Sequence, residues 1–373
     1  MIRLFMIFIL IGTSNAQVSQ EGLPGPAPGL WTESTSSFER QMAAQESIAF
    51  STKEKWSTNA VLIIKNKTIV FERYDNGFEL DTPQRLWSIS KSISSALIGM
   101  RWKELNLGLN DPISTYYPQL KDNSPKPISI KNLLHMSSGI DWNEGYESNP
   151  LKSDVVRILY SDKRADMATY KASLPSRSLP GQRFYYSSGE TNLLMGALSK
   201  TFQDPKEHEV YPWAKLFNPL GMTDVTWERD GSGTFIGSSY IFMKARDLAR
   251  FSLLYLQKGL WKEKEILDKD YIRDSLIPGP ASCLTHQKSE TQFFSYGHHW
   301  WLNKKCSTKE RSAFVKLPGS TFLALGHHGQ TLAIFPELGA IVIRFGADKD
   351  GNFDRELWLN EVFNSLKEIK VEI

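Results

Sequence analysis

The chain has 373 residues, of which 41% are hydrophobic and 23% are charged, and its formal net charge is +3. This composition is typical of a soluble globular protein, and the length suits one large domain or two subdomains. The charge balance is too even to indicate nucleic acid or anionic lipid as a partner, and the sequence has no basic stripe or RNA-binding motif.

The first 16 residues have the organisation of a secretory signal peptide. Arg3 supplies a positive charge, residues 4–11 are an unbroken apolar run, and small residues precede the expected cut after Ala16. The apolar run is shorter than the roughly 20 residues that span a bilayer. We therefore expect a periplasmic or secreted mature protein without a transmembrane segment. Gln17 rather than cysteine follows the cut, which argues against a lipid anchor.

A linker and a hairpin are predicted next. Residues 17–45 form the predicted linker, with a stretch rich in proline and glycine, and a short helix is predicted over residues 38–50. Residues 60–64 and 68–74 are rich in β-branched and aromatic side chains, and the polar residues 65–67 between them suit a hairpin turn.

The central motif is Ser88 followed three residues later by Lys91, at the predicted start of a helix. Ile93, Leu97 and Met100 continue at helical spacing and would bury one face. Because residues i and i+3 share a helix face, the hydroxyl and the amine can meet, and a lysine can then activate a serine without histidine. The alternative, from these residues alone, is a serine that caps a helix.

Residues from about 112 to 228 are predicted to be mainly helices and loops. Ser129 is a suitable N-cap for a helix that ends near residue 134, and another helix is predicted over residues 191–199. Residues 141–146 between them read as a polar loop with aromatic side chains.

Tyr186 and Ser188 follow a Pro-Gly turn, and we expect both to point from one loop towards a common cleft. A nearby cationic lysine can lower the pKa of a tyrosine and let it relay a proton. The alternative is a core tyrosine capped by local serines.

The C-terminal third is predicted to contain a helix, three strands and a last helix. Their ranges are 245–256, then 321–326, 330–335 and 339–345, then 354–370. Because strands at both ends of the chain have short connections, we expect them to pair in one antiparallel sheet. The predicted fold class is α/β (α+β), an antiparallel β-sheet flanked by helices with an inserted mainly helical subdomain. The domain would span residues 46–373, with its α/β part at about 46–111 and 229–373 and its helical part at about 112–228.

A polar tract of His327, His328, Gly329 and Gln330 separates two of the apolar strands. Glycine there allows a ligand to approach the backbone, and the N–H of Gln330 can form an oxyanion hole with that of Ser88. The alternative is a polar turn with two solvated histidines. No metal site is predicted, because adjacent histidines on a strand point to opposite faces and no His-Glu-x-x-His motif occurs.

The two cysteines, Cys283 and Cys306, leave two interpretations open. In an exported protein they can form one disulfide that closes a surface loop, and otherwise they are two free buried thiols.

The order Ser-x-x-Lys, Tyr-x-Ser and His-x-Gly resembles the serine β-lactamase and penicillin-binding superfamily. The resemblance covers residues from about 50 to 350 and includes the stretches 180–189, 219–224, 245–251 and 296–301. These are most similar to class C-type relatives, in the branch that holds 6-aminohexanoate-dimer hydrolase and related esterases. The resemblance implies a β-lactamase/transpeptidase-like fold and no cofactor.

The resemblance also implies a role for each site residue. Ser88 would be the acylated nucleophile, Lys91 its base and Tyr186 the proton shuttle, with the N–H groups of Ser88 and Gln330 as the oxyanion hole. The residues implied in substrate binding are Ser188, His327, His328 and Gly329 along the channel, and Trp142 and Tyr146 on a loop that closes over it.

Two departures from the superfamily's usual motifs bear on the substrate. Ser188 stands where β-lactamases usually carry asparagine, and His327 where they carry lysine, which holds a carboxylate more strongly. No counterpart of the glutamate that drives deacylation in class A enzymes is evident. We therefore expect a small-molecule ester or short amide as the substrate.

Other functions stay open at this point. One is β-lactamase or D-Ala-D-Ala peptidase activity, and one from another class is a non-catalytic module that binds peptidoglycan or peptides in a degenerate cleft. An α/β-hydrolase is disfavoured because no Gly-x-Ser-x-Gly motif occurs.

Overall fold

The computed structural model describes residues 30–33, 36–51, 56–145, 150–284, 293–309, 311–349 and 353–371. The predicted signal peptide, much of the predicted linker and Tyr146 lie outside these residues. Within the described ranges, no helix is both long enough and apolar enough to cross a membrane.

The strands are β1 (Thr58–Lys65), β2 (Thr68–Tyr74), β3 (Gln84–Arg85), β4 (Thr226–Trp227), β5 (Ile241–Met243), β6 (Leu260–Trp261), β7 (Lys264–Glu265), β8 (Ser295–Tyr296), β9 (Trp301–Leu302), β10 (Phe322–Gly326), β11 (Gln330–Phe335) and β12 (Ala340–Gly346). The α-helices are α1 (Ser36–Gln41), α2 (Ala43–Ala49), α3 (Ser90–Glu104), α4 (Leu120–Asn123), α5 (Ile130–Leu134), α6 (Asp154–Tyr160), α7 (Met167–Ser173), α8 (Ser188–Ser199), α9 (Pro205–Pro212), α10 (Ala245–Leu256), α11 (Lys269–Ser275), α12 (Pro280–Leu284) and α13 (Arg355–Glu368).

The central sheet has the strand order β2-β1-β12-β11-β10-β9-β8. Its pairings are antiparallel, and β1 lies between β2 and β12, with Leu62 opposite Ile343. β1 and β12, the first and last of the described strands, therefore lie side by side, which confirms the predicted antiparallel sheet built from both ends of the chain. The remaining named strands form two small sheets, β3-β5-β4 and β6-β7.

The sheet is covered by helices on both faces, which explains why β1 is a continuous apolar run. Leu62 and Ile64 pack in one core cluster with residues of α3 and α10, whereas Val61 and Ile63 pack in another with residues of α2 and α13. Successive side chains of a strand point to opposite faces, so each face of β1 buries its own set. Helix α3, which begins just after Ser88, thereby shares one core with this face of the sheet.

Several predicted elements are confirmed at their predicted positions. The helix over residues 245–256 and the strand over 330–335 have the predicted bounds. Ser129 caps α5, since its Oγ accepts a hydrogen bond from Asn132 N (3.1 Å) and its own N–H donates to Asn132 Oδ1 (3.0 Å). The cysteines Cys283 and Cys306 form a disulfide.

Other predicted elements differ in the structure. The helix predicted over residues 38–50 is two short helices, interrupted at the buried Met42. The helix predicted over residues 191–199 begins three residues earlier, because Ser187 caps it by accepting from Glu190 N at 3.2 Å. Ser188 is therefore on the first turn of α8 and not in a loop as predicted.

Candidate active site

Ser88 lies in a 3₁₀ turn, Trp87–Ile89, that connects β3 to α3, rather than on the helix itself as predicted. Lys91 is on the first turn of α3. Side chains three residues apart nearly eclipse in a 3₁₀ turn, so the predicted contact between them is retained. Trp87 adopts a left-handed φ of 49°, a conformation that a bulky residue keeps only when its surroundings hold it. Its ring packs edge-on against His327 and His328 at centroid distances of 5.2 and 5.4 Å.

The amine of Lys91 is buried and has three hydrogen-bond partners. Nζ lies 2.8 Å from Ser88 Oγ, 3.1 Å from Ser188 Oγ and 3.1 Å from the carbonyl oxygen of Ser238. Burial lowers the pKa of Lys91 to about 8, although the charge of Glu144 opposes this. A substantial fraction of Lys91 is therefore neutral near pH 8 and can accept a proton from Ser88.

Tyr186 is the second side chain beside Ser88, close enough for Ser88 to influence its pKa. Its ring centroid lies 4.9 Å from Lys91 Nζ, and it stacks on Trp301 at 5.2 Å. Burial, assisted by the negative charge of Glu144, raises the pKa of Tyr186 above its usual value. The expectation that the lysine lowers this pKa is therefore wrong, and Tyr186 is a neutral phenol that can donate its proton.

Glu144 is a site residue that the sequence interpretation missed. Its Oε1 accepts a hydrogen bond from Ser188 Oγ at 2.6 Å, and its Oε2 accepts one from Ser188 N at 2.8 Å. The indole N–H of Trp142 also donates to Oε2. The only sequence signal was an acidic residue in the polar loop expected to face the cleft. No spacing rule connects residue 144 to residues 91 and 188.

A second buried acid and base, also missed, support the loop that carries Glu144. Lys171 is fully buried and donates from Nζ to the carbonyl oxygens of Ile140 (3.2 Å) and Asp141 (3.3 Å). Glu190 accepts from Ser138, and burial raises the pKa of Glu190 while it lowers that of Lys171. These contacts fix the start of the loop against α7 and α8.

The predicted substrate-binding residues of this loop have different outcomes. Trp142 is 2% exposed, packs beside Lys171 with a ring-to-Nζ distance of 5.0 Å, and holds Glu144. Contact of Trp142 with a substrate stays a prediction. Tyr146 lies outside the described residues.

The polar tract after β10 forms a tight turn, His327–Gly329, rather than continuing the strand. The two imidazole rings consequently lie side by side, with centroids 4.0 Å apart, instead of pointing to opposite faces. Burial is the main cause that lowers the pKa of His327 to about 4, and the neighbouring His328 adds to the effect. His327 is therefore neutral at pH 7, and both rings are half-buried rather than solvated.

Gly329 is required by the packing behind the turn. Its φ is 80°, and a Cβ at this position would lie 2.1 Å from Asp348 Oδ2 and 2.5 Å from Arg344 Nη1. Arg344 donates to the carbonyl oxygen of Gly329 at 3.0 Å and forms an ion pair with Asp348 at 2.8 Å. The glycine thus has a structural reason other than the approach of a ligand to the backbone.

The turn is also fixed at Gln330 and brought close to the Ser88 segment. The side chain of Gln330 exchanges two hydrogen bonds with the backbone of Gly346, at 2.6 and 3.1 Å. A Cβ on Gly326 would come within 2.6 Å of the carbonyl oxygen of Leu86, two residues before Ser88. This proximity is compatible with the predicted oxyanion hole of Ser88 and Gln330 N–H groups, which stays a prediction.

Metal ligands do not cluster in the described part of the chain, where no group of three or more histidine, cysteine, aspartate or glutamate side chains could hold an ion. His299, which follows His298 in the chain, instead contacts Thr191 Oγ1 at 3.0 Å and the carbonyl oxygen of Leu134 at 3.1 Å.

The chain is similar in sequence and in fold to known proteins. The family profile described as Beta-lactamase matches residues 44–364. A 6-aminohexanoate-dimer hydrolase from Paenarthrobacter ureafaciens is 24% identical over 307 residues, which cover 80% of this chain and 74% of that protein. The structure of EstCE1, a hydrolase with promiscuous acyltransferase activity, has a TM-score of 0.68 and 16% identity, over 89% of this chain and 100% of the other. An octameric penicillin-binding protein homologue from Pyrococcus abyssi has a TM-score of 0.65 and 16% identity, over 89% and 76% of the two chains.

Proposed function

We propose that this chain, which belongs to the beta-lactamase family, cleaves esters or short amides through an acyl-enzyme on Ser88. The chain is a serine hydrolase of the β-lactamase fold, related to 6-aminohexanoate-dimer hydrolase. The proposed role of Ser88 as the nucleophile rests on its two neighbours, a buried lysine at 2.8 Å and a neutral tyrosine.

In the proposed acylation step, Ser88 Oγ attacks the carbonyl carbon while its proton passes to the neutral amine of Lys91. The negative charge that develops on the carbonyl oxygen is stabilised by the N–H groups of Ser88 and Gln330. Tyr186 then gives its proton to the leaving oxygen or nitrogen and regains one from Lys91. The bond to the leaving group breaks, and both residues return to their neutral forms.

Deacylation runs in the reverse direction with water in place of the leaving group. The water oxygen attacks the ester carbon, and its proton passes through Tyr186 to Lys91. Lys91 returns the proton to Ser88 Oγ as the acyl bond breaks. The product acid leaves, and the free serine is restored.

The substrate-side residues favour esters and short amides over β-lactams. His327 is neutral at pH 7, because burial lowers its pKa to about 4, so this position lacks the permanent cation that grips a β-lactam carboxylate. The name of the related 6-aminohexanoate-dimer hydrolase refers to a short amide, and EstCE1 is described as a hydrolase with acyltransferase activity. We extend this acyl chemistry to the present chain as part of the proposal.

The mechanism is tested by covalent labelling with a fluorophosphonate, followed by mass spectrometry. We expect one adduct on Ser88, loss of the adduct and of ester turnover in Ser88→Ala, and neither loss in Ser47→Ala, which alters an exposed serine on α2. Full ester turnover in Ser88→Ala with no adduct on Ser88 in the wild type would refute the mechanism.

The substrate class is tested with p-nitrophenyl esters, the aminohexanoate dimer, nitrocefin and D-Ala-D-Ala peptides. We expect turnover of the esters or the dimer. Turnover of nitrocefin alone would overturn the inference drawn from His327 and favour a β-lactamase. A protein that is neither labelled nor active on any of these compounds would favour the non-catalytic peptide-binding module.

We also propose that the protein is exported, with cleavage after Ala16. The disulfide between Cys283 and Cys306 supports this, because such bonds persist in oxidising compartments. N-terminal sequencing of the protein from a secretory host is expected to begin at Gln17. An N-terminus at Met1 in that material would contradict the proposal.

A further inference from the structure

An unbroken chain of hydrogen bonds runs from Ser88 through Lys91 and Ser188 to Glu144. The successive distances are 2.8 Å from Ser88 Oγ to Lys91 Nζ, 3.1 Å from Nζ to Ser188 Oγ, and 2.6 Å from there to Glu144 Oε1. We propose that Glu144 is a positioning residue that, through Ser188, keeps the free electron pair of neutral Lys91 directed at the Ser88 hydroxyl. The proposal rests on the proposed function of Ser88.

The direction of each hydrogen bond follows from which groups can only accept. A carboxylate oxygen has no proton to give, so the single hydroxyl proton of Ser188 is donated to Glu144. Ser188 Oγ must then accept a hydrogen bond from Lys91 rather than donate one to it. The carbonyl oxygen of Ser238 is likewise only an acceptor and takes a second N–H of Lys91.

These constraints leave one arrangement for the neutral amine. A neutral lysine has two N–H donors and one electron pair, and Ser188 and Ser238 use both donors. The remaining electron pair is directed at Ser88, the third partner of Nζ at 2.8 Å. The amine is therefore oriented as a base for Ser88 before any substrate arrives.

The position of the Glu144 carboxylate is itself well determined. Oε2 accepts from the backbone N–H of Ser188, on the first turn of the 12-residue helix α8, and from the indole of Trp142. A negative charge is favoured at that end of a helix. Lys171 anchors the loop a few residues earlier. Glu144 Oε1 therefore faces Ser188 Oγ in one fixed geometry.

Glu144→Gln is expected to reverse this arrangement without changing its shape. The N–H groups of Ser188 and Trp142 that donate to Oε2 require the oxygen of the new amide at that place. The amide nitrogen then lies opposite Ser188 Oγ. The amide then donates to Ser188, whose own proton is free to turn towards Lys91. Ser188 now competes with Ser88 for the electron pair of the lysine.

The first measurement compares kcat/KM for p-nitrophenyl acetate between wild type and Glu144→Gln. Because proton transfer by a positioned base contributes about 10²- to 10⁴-fold, we expect a loss on the order of 10- to 100-fold with an unchanged melting temperature. The matched control is Asp141→Asn, which removes a charge from the same loop. The carboxylate of Asp141 forms an ion pair with Arg177 at 2.5 Å. We expect this control to stay within about twofold of wild type, as for other surface ion pairs.

A second readout is the pH profile, which a merely structural disturbance would not move. The titratable groups that face Lys91 are Glu144 from the loop, Tyr186 before α8 and the buried His299. The charge of Glu144 raises the pKa of Lys91, so its removal is expected to shift the acid limb of the profile to lower pH while the plateau falls. An acid limb that moves to higher pH contradicts the proposal.

A double-mutant cycle with Ser188→Ala tests whether Glu144 acts through that hydroxyl. If it does, Glu144→Gln changes the plateau value of kcat/KM by less than about twofold in the Ser188→Ala background, because the coupled effects are not additive. Additive losses overturn the proposal. If Glu144→Gln does not fold, the activities of Ser188→Thr and Ser188→Ala are compared instead, since only the threonine retains a hydroxyl. Equal activity of those two variants overturns the proposal.

Labelling separates this inference from the proposed function. If the wild type forms no fluorophosphonate adduct on Ser88, the proposed function fails. If the adduct forms in wild type and forms at the same rate in Glu144→Gln, with kcat/KM within twofold across the pH range, only the present inference fails.

Discussion

Arg344→Met is expected to destabilise the fold and to weaken catalysis, because Arg344 is the buried anchor of the turn that carries Gln330. Its side chain is 0% exposed. It donates to Thr58 Oγ1 at 3.0 Å, to the carbonyl oxygen of Gly329 at 3.0 Å, and to the two oxygens of Asp348 at 2.8 and 3.2 Å. Methionine retains most of the apolar stem but none of these donors.

The size of the effect follows from what remains after the substitution. Asp348 is left buried with a donor from Ser57 N (2.8 Å) but without its cation. Removal of one partner from a buried ion pair costs about 3–5 kcal/mol, a large part of the roughly 5–15 kcal/mol that stabilises a typical fold. We also expect kcat/KM of the folded protein to fall on the order of 10- to 100-fold, because the turn that carries Gln330, a residue of the proposed oxyanion hole, loses its support.

The assay is urea unfolding followed by circular dichroism, together with ester turnover in buffer without urea. The control is Arg273→Met, which removes an exposed guanidinium that also pairs with two aspartates and should leave the unfolding midpoint unchanged. Asp348→Asn in the Arg344→Met background should recover part of the loss, because a neutral amide leaves no unpaired charge. Equal midpoints for Arg344→Met and wild type would refute the reasoning.

Three further predictions follow from the same structure. The kcat/KM for an ester should rise as the pH increases through about 8, because Lys91 must be neutral to accept the Ser88 proton. Lys91→Arg, which stays cationic, should be inactive, and retained activity with a flat pH profile would contradict the role of the lysine. Burial lowers the pKa of His135 to about 4, so its contribution to stability is complete above about pH 6.5 and is lost as the pH falls from there towards 4. From His135 alone we expect the free energy of unfolding, measured with urea, to fall by about 3 kcal/mol between pH 7 and pH 4. The fall should be smaller in His135→Gln. An equal fall in both proteins would show that other groups cause it. Gly329→Ala should lower the melting temperature more than Gly233→Ala. Both glycines have φ above 79°, but of the two only Gly329 has close neighbours where a Cβ would lie. Equal effects would show that crowding at Gly329 does not matter.

Local rules predicted most of the regular structure. The hairpin of β1 and β2, the cap at Ser129 and the helix over residues 245–256 depend on neighbours in the chain, and each was found where it was predicted. The order of the motifs around Ser88, Tyr186 and His327 was enough to predict the family, which the profile match confirms.

Features that depend on how one element meets another were not visible in the sequence. The turn that carries Ser88 packs against β10 and β11, which are distant in the chain. The early start of α8, by contrast, comes from the local cap at Ser187, which the sequence interpretation overlooked. The raised pKa of Tyr186 is also a tertiary effect, because burial and the negative charge of Glu144 both raise it.

The sequence by itself determined the residue types, and hence that a serine and a lysine three positions apart could react together. Only the tertiary structure decided that Glu144, 44 residues before Ser188 in the chain, would bond to it, and that Arg344 would support the turn at Gly329. The physical reason is that a hydrogen bond requires two groups within about 3 Å. Such proximity between distant segments is created by the packing of the loop, helix and sheet, and no local sequence pattern encodes it.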